Sequence, residues 1–376
     1  MGSKTSRNTS IEALRLVAVA GIAVFHTFQW TFQAVCISVP EYAPLAAFPY
    51  SGLLGFINLL GCWANEVFFM ISGYFLIASA ARAWDGGATW KSQMQRTAQR
   101  LGKVIMPTAF YCLVALAWST VVSPIPDVTL NTHYWYTLGL EFIWVYAATV
   151  FMAPLFGLAK SRLSKKSYTA TVIAVGILVF VVNGYLAAMS ATSAGEFSWL
   201  QKLMSAVTYV IAFLIGGLLR DVTDAMDSDR AAALGMRSLV TVLVLTIILE
   251  GALSFTDNLT AMTILSYKST SLISFALAAA SLLFAATRRS ASGNSRTAGA
   301  IVTLSTATLG FYVMQSLTNS LWRPVFNTLL ANILVSQNSP AAICIITGTV
   351  ISIIFALALL NIDAVRSLIA RQLKRQ

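Results

Sequence analysis

Residues 168–190 read YTATVIAVGILVFVVNGYLAAMS, a run of 23 residues that contains no Asp, Glu, Lys or Arg. A helix rises 1.5 Å per residue, so such a run can cross the hydrocarbon core of a bilayer, which is about 30 Å thick. Similar runs recur along the chain and are continuously apolar rather than alternating, which favours helices over the strands of a membrane barrel. The sequence therefore predicts an all-α fold, a polytopic membrane helix bundle.

The composition excludes several other classes of protein. Of the 376 residues, 57% are apolar and 10% are charged, and the mean hydropathy is +0.74. Soluble domains average about 25% charged residues, and disordered chains are poor in apolar residues, so both classes are excluded. The net charge of +11 comes from basic residues in short gaps between apolar runs. That placement indicates orientation in a membrane, and no nucleic-acid partner is expected.

About ten spans are predicted, with basic residues concentrated in alternate gaps between them. The spans are 11–33, 51–80, 104–123, 134–158, 168–190, 201–219, 238–255, 262–287, 301–330 and 341–362. The alternate gaps hold 21 of the 25 Lys and Arg residues. By the positive-inside rule, these gaps and both termini are expected in the cytoplasm. The predicted organisation is a cytoplasmic tail over 1–10, one transmembrane domain over 11–362 and a basic cytoplasmic tail over 363–376.

Ionisable side chains inside membrane spans are rare and usually functional. The candidates are Glu12, Arg15, His26, Glu66, Glu141, Glu250, Lys268 and Arg323. The four Asp residues at 221, 224, 227 and 229 lie instead in a gap, where a solvated loop is expected. Neither they nor the four cysteines have the spacing of metal ligands, so no metal site is predicted.

The first span carries the most informative set of ionisable residues. Arg15 and His26 are eleven residues apart, which places them on the same side of a helix and about 16 Å apart along its axis. Glu12 lies one turn before Arg15 and can pair with it. We expect this stripe to line a cavity, with His26 as a general base and Arg15 holding a phosphate or the reacting geometry. The alternative is an interfacial Arg–Glu pair and a hydrogen-bonded core histidine.

Two further segments carry candidate functional residues. The second span contains the stretch NEVFFMISGYFL over residues 65–76, which includes Glu66, Ser72, Gly73 and Tyr74. Small residues there allow the close approach of a ligand or of another helix, and helix packing is the alternative interpretation. The following gap places three basic residues on one helix face, where phosphates or anionic lipid headgroups can bind. These residues are Arg96, Arg100 and Lys103.

The fourth span begins with aromatic residues and contains a carboxylate. Trp135 and Tyr136 follow His133 at its outer end, and Glu141 lies deeper. We expect Trp135, Tyr136 and Glu141 to line a polar cavity, together with Glu12, Glu66, Ser72 and Tyr74. The alternative for the two aromatic residues is the interfacial belt of membrane proteins.

These motifs, in this order, resemble the acyltransferase 3 family of integral membrane proteins. The resemblance rests on Arg15 and His26 with ten residues between them, on FFMISGYF over 68–75, on the basic face followed by Pro107, and on the block over 133–154. It covers residues 8–158 and extends weakly to the end. It implies about ten spans and cytoplasmic termini. Family members transfer an acyl group, commonly acetyl from acetyl-CoA, to hydroxyls or amines of extracytoplasmic glycans or lipid-linked sugars.

The resemblance assigns catalytic roles to Arg15 and His26, and an acyl-CoA-binding role to the basic face. Two positions depart from the family pattern. Gln315 stands where many members have a histidine, and an amide cannot act as a base. Glu66 and Glu141 stand where uncharged residues are expected.

The sequence thus predicts a membrane O-acyltransferase that uses acyl-CoA as co-substrate and has no permanently bound cofactor. Its expected partners are acyl-CoA, a glycan or lipid-linked sugar acceptor, and membrane lipids. Most proteins that resemble it are bacterial, so the expected location is a bacterial plasma membrane. Two other functions stay open: a transporter or exporter of a lipid-linked sugar or another polar solute, and a non-catalytic module of a glycan-synthesis complex. The acyl chain length, the acceptor and the oligomeric state stay open as well.

Overall fold

A computed structural model describes residues 8–126, 128–129, 139–192, 198–267, 270–288, 296–336 and 340–373. Within these ranges the chain forms thirteen α-helices and one short 3-10 helix over Pro40–Leu45. The α-helices are α1 (Thr9–Cys36), α2 (Tyr50–Asp85), α3 (Trp90–Val121), α4 (Glu141–Arg162), α5 (Lys165–Thr192), α6 (Ser198–Ala225), α7 (Ser228–Phe255), α8 (Leu259–Leu265), α9 (Leu272–Thr287), α10 (Arg296–Ser305), α11 (Thr308–Leu317), α12 (Asn319–Ser336) and α13 (Pro340–Leu373).

The predicted all-α polytopic bundle is confirmed. In the described part of the chain, eight helices are long and apolar enough to cross a membrane, and the bent pair α10–α11 makes nine if it is counted as one span. Helix α7 shows the lipid-facing character of the outer helices, because Leu245, Ile247 and Ile248 are exposed on it. Large apolar side chains exposed in this number fit a protein whose outer surface contacts lipid.

Helix α2 forms the centre of the bundle and contacts α1, α4, α6, α7 and α9. It can do so because small residues allow the neighbouring helices to approach closely. A Cβ atom added at Gly73 would lie 1.7 Å from the backbone oxygen of Phe213 on α6. One added at Gly61 would lie 2.4 Å from the Phe25 ring on α1. The α1–α2 and α2–α6 pairs therefore form the rigid frame of the molecule.

Contacts among helix ends place several basic gaps at one end of the bundle, here called the basic end. Lys160 near the end of α4 pairs with Asp221 of α6 at 2.6 Å. Ser161 donates to Asp85, the last residue of α2, at 2.6 Å. Helix α1 begins at this end, and residues 37–49 connect α1 to α2 at the opposite end.

The predicted eighth and ninth spans, 262–287 and 301–330, are not continuous helices. The eighth is divided into α8 and the 16-residue α9, which begins at the cap Ser271. The ninth is divided into α10, α11 and α12, with a bend of 46° between α10 and α11. Ser305 and Thr306 at that bend donate side-chain hydrogen bonds to backbone oxygens of the preceding turn, an interaction that competes with regular helix geometry.

Two predicted helix ends also differ from the structure. The basic face of residues 96–103 was expected in a gap before the third span, but it belongs to the same continuous helix α3. Helix α13 continues to Leu373 and includes most of the predicted C-terminal tail over 363–376.

Candidate functional site

The sequence-predicted residues Arg15 and His26 line two different cavities of the bundle. The His26 cavity has a volume of about 840 Å³ and is bordered by residues of α1, α2, α4, α6, α11 and α12. The Arg15 cavity is smaller, at about 190 Å³, and is bordered by residues of α1, α2, α3, α4 and α11. Arg15 lies nearer the basic end of α1 and His26 nearer the opposite end, so the two cavities follow one another along the bundle.

Local sequence features fix the position of α1. Asn8 caps its first turn, because its side-chain oxygen accepts the backbone N–H groups of Ser10 at 2.9 Å and Ile11 at 3.3 Å. The close contact of α1 and α2 at Gly61 then allows His26 of α1 to line the same cavity as Cys62 and Asn65 of α2. The predicted helical stripe is thus present, with one end in each cavity.

Arg15 is held by a carboxylate of the same helix. Its Nη1 atom donates to Oε2 of Glu12 at 2.9 Å. Glu12 is itself buried, and the Arg15 side chain is partly exposed toward its cavity. This i,i+3 pair orients the guanidinium and leaves further N–H donors for a ligand.

The imidazole of His26 lies among polar groups and one aromatic ring. The Phe25 ring is tilted against it at a centroid distance of 4.9 Å. The side chain of Gln29, one turn further along α1, interacts with His26, and its Oε1 also accepts a hydrogen bond from Nη2 of Arg323 at 3.4 Å. Arg323 therefore reaches the His26 cavity from α12.

Two amides of the His26 cavity have unused hydrogen-bonding capacity. Gln315 of α11 is 2% exposed, and its Nε2 atom has no hydrogen-bond partner. Asn65 donates to the hydroxyl of Tyr209 at 3.1 Å, while its Oδ1 atom is buried without a partner. Buried polar groups are normally paired, so these atoms mark places where a bound molecule would supply the missing partner.

Two aromatic side chains separate the cavities and border both of them. Phe142 and Tyr312 line the Arg15 cavity and the His26 cavity. Their ring centroids are 4.6 Å apart. Gly139, with a φ of 67° that favours glycine, turns the chain into α4, which begins at Glu141 just before Phe142. Glu141 itself lines the His26 cavity, as the sequence predicts.

The basic face of α3 lies on the helical turns just before the residue of α3 that lines the Arg15 cavity. Arg96 and Lys103 are exposed and Arg100 is half-buried. Val104, one turn after Arg100, lines the Arg15 cavity. None of the three cations forms a salt bridge with a carboxylate of the described ranges. Their charge is therefore free for a phosphate or a lipid headgroup.

The candidate residues of the stretch over 65–76 have different surroundings: some line a cavity and others pack against neighbouring helices. Ser72 lines the Arg15 cavity and hydrogen-bonds the Tyr146 hydroxyl at 2.9 Å. Tyr74 borders neither cavity: its hydroxyl bonds Thr223 of α6 at 2.9 Å, and Arg220 lies over its ring. The expectation that Tyr74 lines a cavity is therefore corrected, because α6 covers this side of α2.

Glu66 also departs from its expected place. It is 0% exposed and borders neither cavity, and neither of its carboxylate oxygens has a hydrogen-bond partner. A carboxyl buried in this way is held in its neutral form or is very costly. Trp135 and Tyr136 lie outside the described residues. Within the part of the chain that is described, no group of three or more His, Cys, Asp or Glu residues could hold a metal ion.

Sequence reasoning assigned no role to several residues that border the His26 cavity. The sequence marks Arg323 only as an ionisable residue inside a span, and it gives Lys202 no role. A signal for both exists in the charge distribution, because they are among the four Lys and Arg residues outside the basic gaps. No comparable signal exists for Asn65, Phe142 or Tyr312, which meet at one cavity only because α2, α4 and α11 pack around it.

Comparison with known proteins identifies the family of the chain. The acyltransferase 3 family model, described as an acyltransferase domain, matches residues 8–359, nearly the whole chain. The match includes both cavities and all the helices that border them. No curated protein and no solved structure matches the chain. On the extent of the family match, the chain belongs to the acyltransferase 3 family of integral membrane acyltransferases.

Proposed function

We propose that this acyltransferase moves a short acyl group, commonly acetyl, from acyl-CoA at the basic end of the bundle to a hydroxyl of an acceptor in the His26 cavity. The observation that carries the proposal is the placement of Arg15 and His26 in two successive cavities that share Phe142 and Tyr312 as walls. The basic end is then the cytoplasmic end, in agreement with the positive-inside rule.

The donor enters through the Arg15 cavity. Its volume of about 190 Å³ is below the roughly 300–1,000 Å³ of pockets that enclose drug-sized ligands. Only the thioester end of acyl-CoA therefore enters the bundle, where it passes the two aromatic side chains between the cavities to reach the acceptor beside His26, and the nucleotide stays outside. There Arg96, Arg100 and Lys103 meet its phosphates, while the guanidinium of Arg15 orients the part that enters.

The acceptor occupies the His26 cavity, whose volume of about 840 Å³ accommodates a sugar unit. His26 takes the proton of the acceptor hydroxyl while the hydroxyl oxygen attacks the thioester carbonyl. The carbon–sulfur bond then breaks, and the CoA thiolate leaves toward the basic end. A second route forms an acyl-imidazole on His26 first and transfers the acyl group afterwards. In both routes, the unpartnered Nε2 of Gln315 donates to the carbonyl oxygen as it becomes negative.

The proposed acceptor is a cell-envelope glycan or its lipid-linked precursor, and the proposed location is a bacterial plasma membrane. The support is the position of the His26 cavity toward the end of the bundle opposite the basic end, the side from which such an acceptor would approach. No cofactor besides the acyl-CoA co-substrate is required by this chemistry.

The test uses purified protein in lipid vesicles, labelled acetyl-CoA and a membrane glycan extract. We expect label in glycan with wild type and a loss of about 100-fold or more with His26→Ala, because general-base catalysis contributes about 10²–10⁴-fold. His133→Ala is the matched control, because His26 and His133 are the two histidines of the chain. A folded His26→Ala variant with full activity would remove the proposal. Absence of both transfer and acyl-CoA binding in wild type would favour a transporter.

A further inference from the structure

The basic residues of this chain avoid one end of the bundle, with few exceptions. Of 25 Lys and Arg residues, four lie outside the basic gaps: Arg15, Lys202, Lys268 and Arg323. Lys202 and Arg323 both line the His26 cavity. A cation on this side opposes the positive-inside distribution and is expensive near the membrane. Two of them at one cavity therefore indicate a function for their charge.

The guanidinium of Arg323 has donors to spare. Its Nη2 atom donates to the neutral amide of Gln29, at a long distance of 3.4 Å. No carboxylate within the described ranges lies within salt-bridge distance of it. Arg323 is half-buried between Trp322 and Pro324 of α12. A guanidinium offers five N–H donors in a fixed fork that matches carboxylate and phosphate oxygens.

Two other donors face the same cavity. Lys202, near the start of α6, is exposed at its border and makes no salt bridge with a described carboxylate. The Nε2 atom of Gln315 is buried there without a partner. Glu141 is the carboxylate that borders the cavity. With Arg323 and Lys202 positive and Glu141 negative, the fixed charges of the cavity favour a negatively charged ligand.

We infer that the acceptor carries an oxyanion, and that Arg323 and Lys202 bind this group while His26 acts on a hydroxyl of the same molecule. The inference rests on the proposed function for the role of His26. The oxyanion is a carboxylate, as in an acidic sugar, or a phosphate, as in a lipid-linked sugar. Both satisfy the fork of Arg323 through charge-assisted hydrogen bonds. The anion site thus selects the acceptor and holds its hydroxyl at His26.

Chemical modification of His26 tests the site without requiring transfer activity. Diethyl pyrocarbonate acylates imidazole, and mass spectrometry follows the rate at the peptide that contains His26. The full-length protein in lipid is treated with glucuronate, inorganic pyrophosphate or glucose, at matched concentration and ionic strength. We expect one or both anions to slow the modification several-fold in wild type, whereas glucose does not. Protection by glucuronate alone assigns a carboxylate, and protection by pyrophosphate alone assigns a phosphate.

Variants connect the protection to the named side chains. Arg323→Gln is expected to abolish protection by the anions, and Lys202→Gln, at an exposed position that tolerates substitution, to weaken it. Glu141→Gln is a control in which protection by the anions should increase, because loss of a negative charge strengthens anion binding. The inference is overturned if glucose protects the wild type as strongly as the anions do. It is also overturned if the anions protect Arg323→Gln and Lys202→Gln as strongly as they protect the wild type. If the wild type transfers acetyl but the anions do not protect His26, the anion site is wrong and the proposed reaction stands. If the anions protect His26 but no acetyl is transferred, the proposed reaction is wrong and the anion site stands.

Discussion

At the residue scale, the site depends on polar groups that a bound substrate must satisfy. Arg15 is paired with Glu12 at 2.9 Å and lines its cavity, so its remaining donors are available to a bound molecule. Gln315 is the clearer case, because its Nε2 atom is buried with no partner. An unpaired buried donor costs about 1–3 kcal/mol. Such a donor is retained where a ligand or a transition state repays it.

We therefore predict that Gln315→Met, which keeps the side-chain length but removes the amide, lowers kcat about 100-fold, in line with the loss of one donor to a developing oxyanion. The KM values change much less, because the donor acts mainly in the transition state. Steady-state kinetics measures both. Ser316→Ala is the control, since Ser316 borders the same cavity but bonds the backbone oxygen of Gly139. A change in KM with unchanged kcat would assign Gln315 to substrate binding instead.

At the scale of single residues, helical periodicity gave the relative direction of Arg15 and His26 but not the surroundings of Tyr74. Arg15 and His26 were found because both belong to one helix, where a separation of eleven residues fixes their relative direction. Tyr74 was assigned to a cavity because of its sequence neighbours. Periodicity along one helix cannot tell which neighbouring helix covers each side, and α6 covers the side of Tyr74.

At the element scale, the charged face of α3 has two interpretations that the structure makes testable. We predict that Arg96→Gln, Arg100→Gln and Lys103→Gln each raise the KM for acetyl-CoA several-fold. They should leave the KM for S-acetylpantetheine unchanged, because this smaller donor lacks the nucleotide phosphates. Lys91→Gln is the matched control, at an exposed position outside this face. Equal effects on both donors would assign the face to anionic lipid headgroups.

The crossing of α2 and α6 is the element contact most sensitive to added volume. A Cβ at Gly73 would meet a backbone oxygen of α6 at 1.7 Å, and one at Gly216 would meet the backbone oxygen of Met70 at 2.0 Å. Because backbone cannot rotate away, we predict that Gly73→Ala and Gly216→Ala each destabilise the protein by about 1–3 kcal/mol. Thermal unfolding in detergent measures this.

The control for this crossing is Gly184→Ala on α5, where a Cβ would have no neighbour within 4 Å. Alanine is the better helix former, by about 1 kcal/mol, so Tm should stay level or rise. Unchanged stability of both Gly73→Ala and Gly216→Ala would show that the two helices are further apart than described.

The broken helices at the element scale could not be read from hydropathy. The predicted ninth span has the composition of one long apolar helix, yet it is divided at Ser305 to Ala307 and again at Thr318. The breaks place Gln315 at the end of α11 and Arg323 near the start of α12, both at the His26 cavity. Local side-chain hydrogen bonds decide such breaks, and an average over a window of residues does not contain them.

At the scale of the whole molecule, the two cavities and the charge distribution are arranged in the order that the proposed transfer requires. The basic end carries the basic face of α3, and the Arg15 cavity lies nearest to this end. Phe142 and Tyr312 form the partition, and the His26 cavity lies beyond them. The sequence was sufficient for the membrane class and the family because both depend on long patterns. It was insufficient for this arrangement, because cavities form only where several helices meet.

The most direct test of this arrangement uses sealed vesicles with the basic end facing outward. Labelled acetyl-CoA is added outside, and the glycan acceptor is enclosed inside. We predict that wild type labels the enclosed acceptor and that His26→Ala reduces this labelling about 100-fold or more. Equal labelling of the enclosed acceptor by wild type and His26→Ala would contradict the proposed role of His26. Labelling only of acceptor that is supplied on the same side as acetyl-CoA would contradict transfer through the bundle.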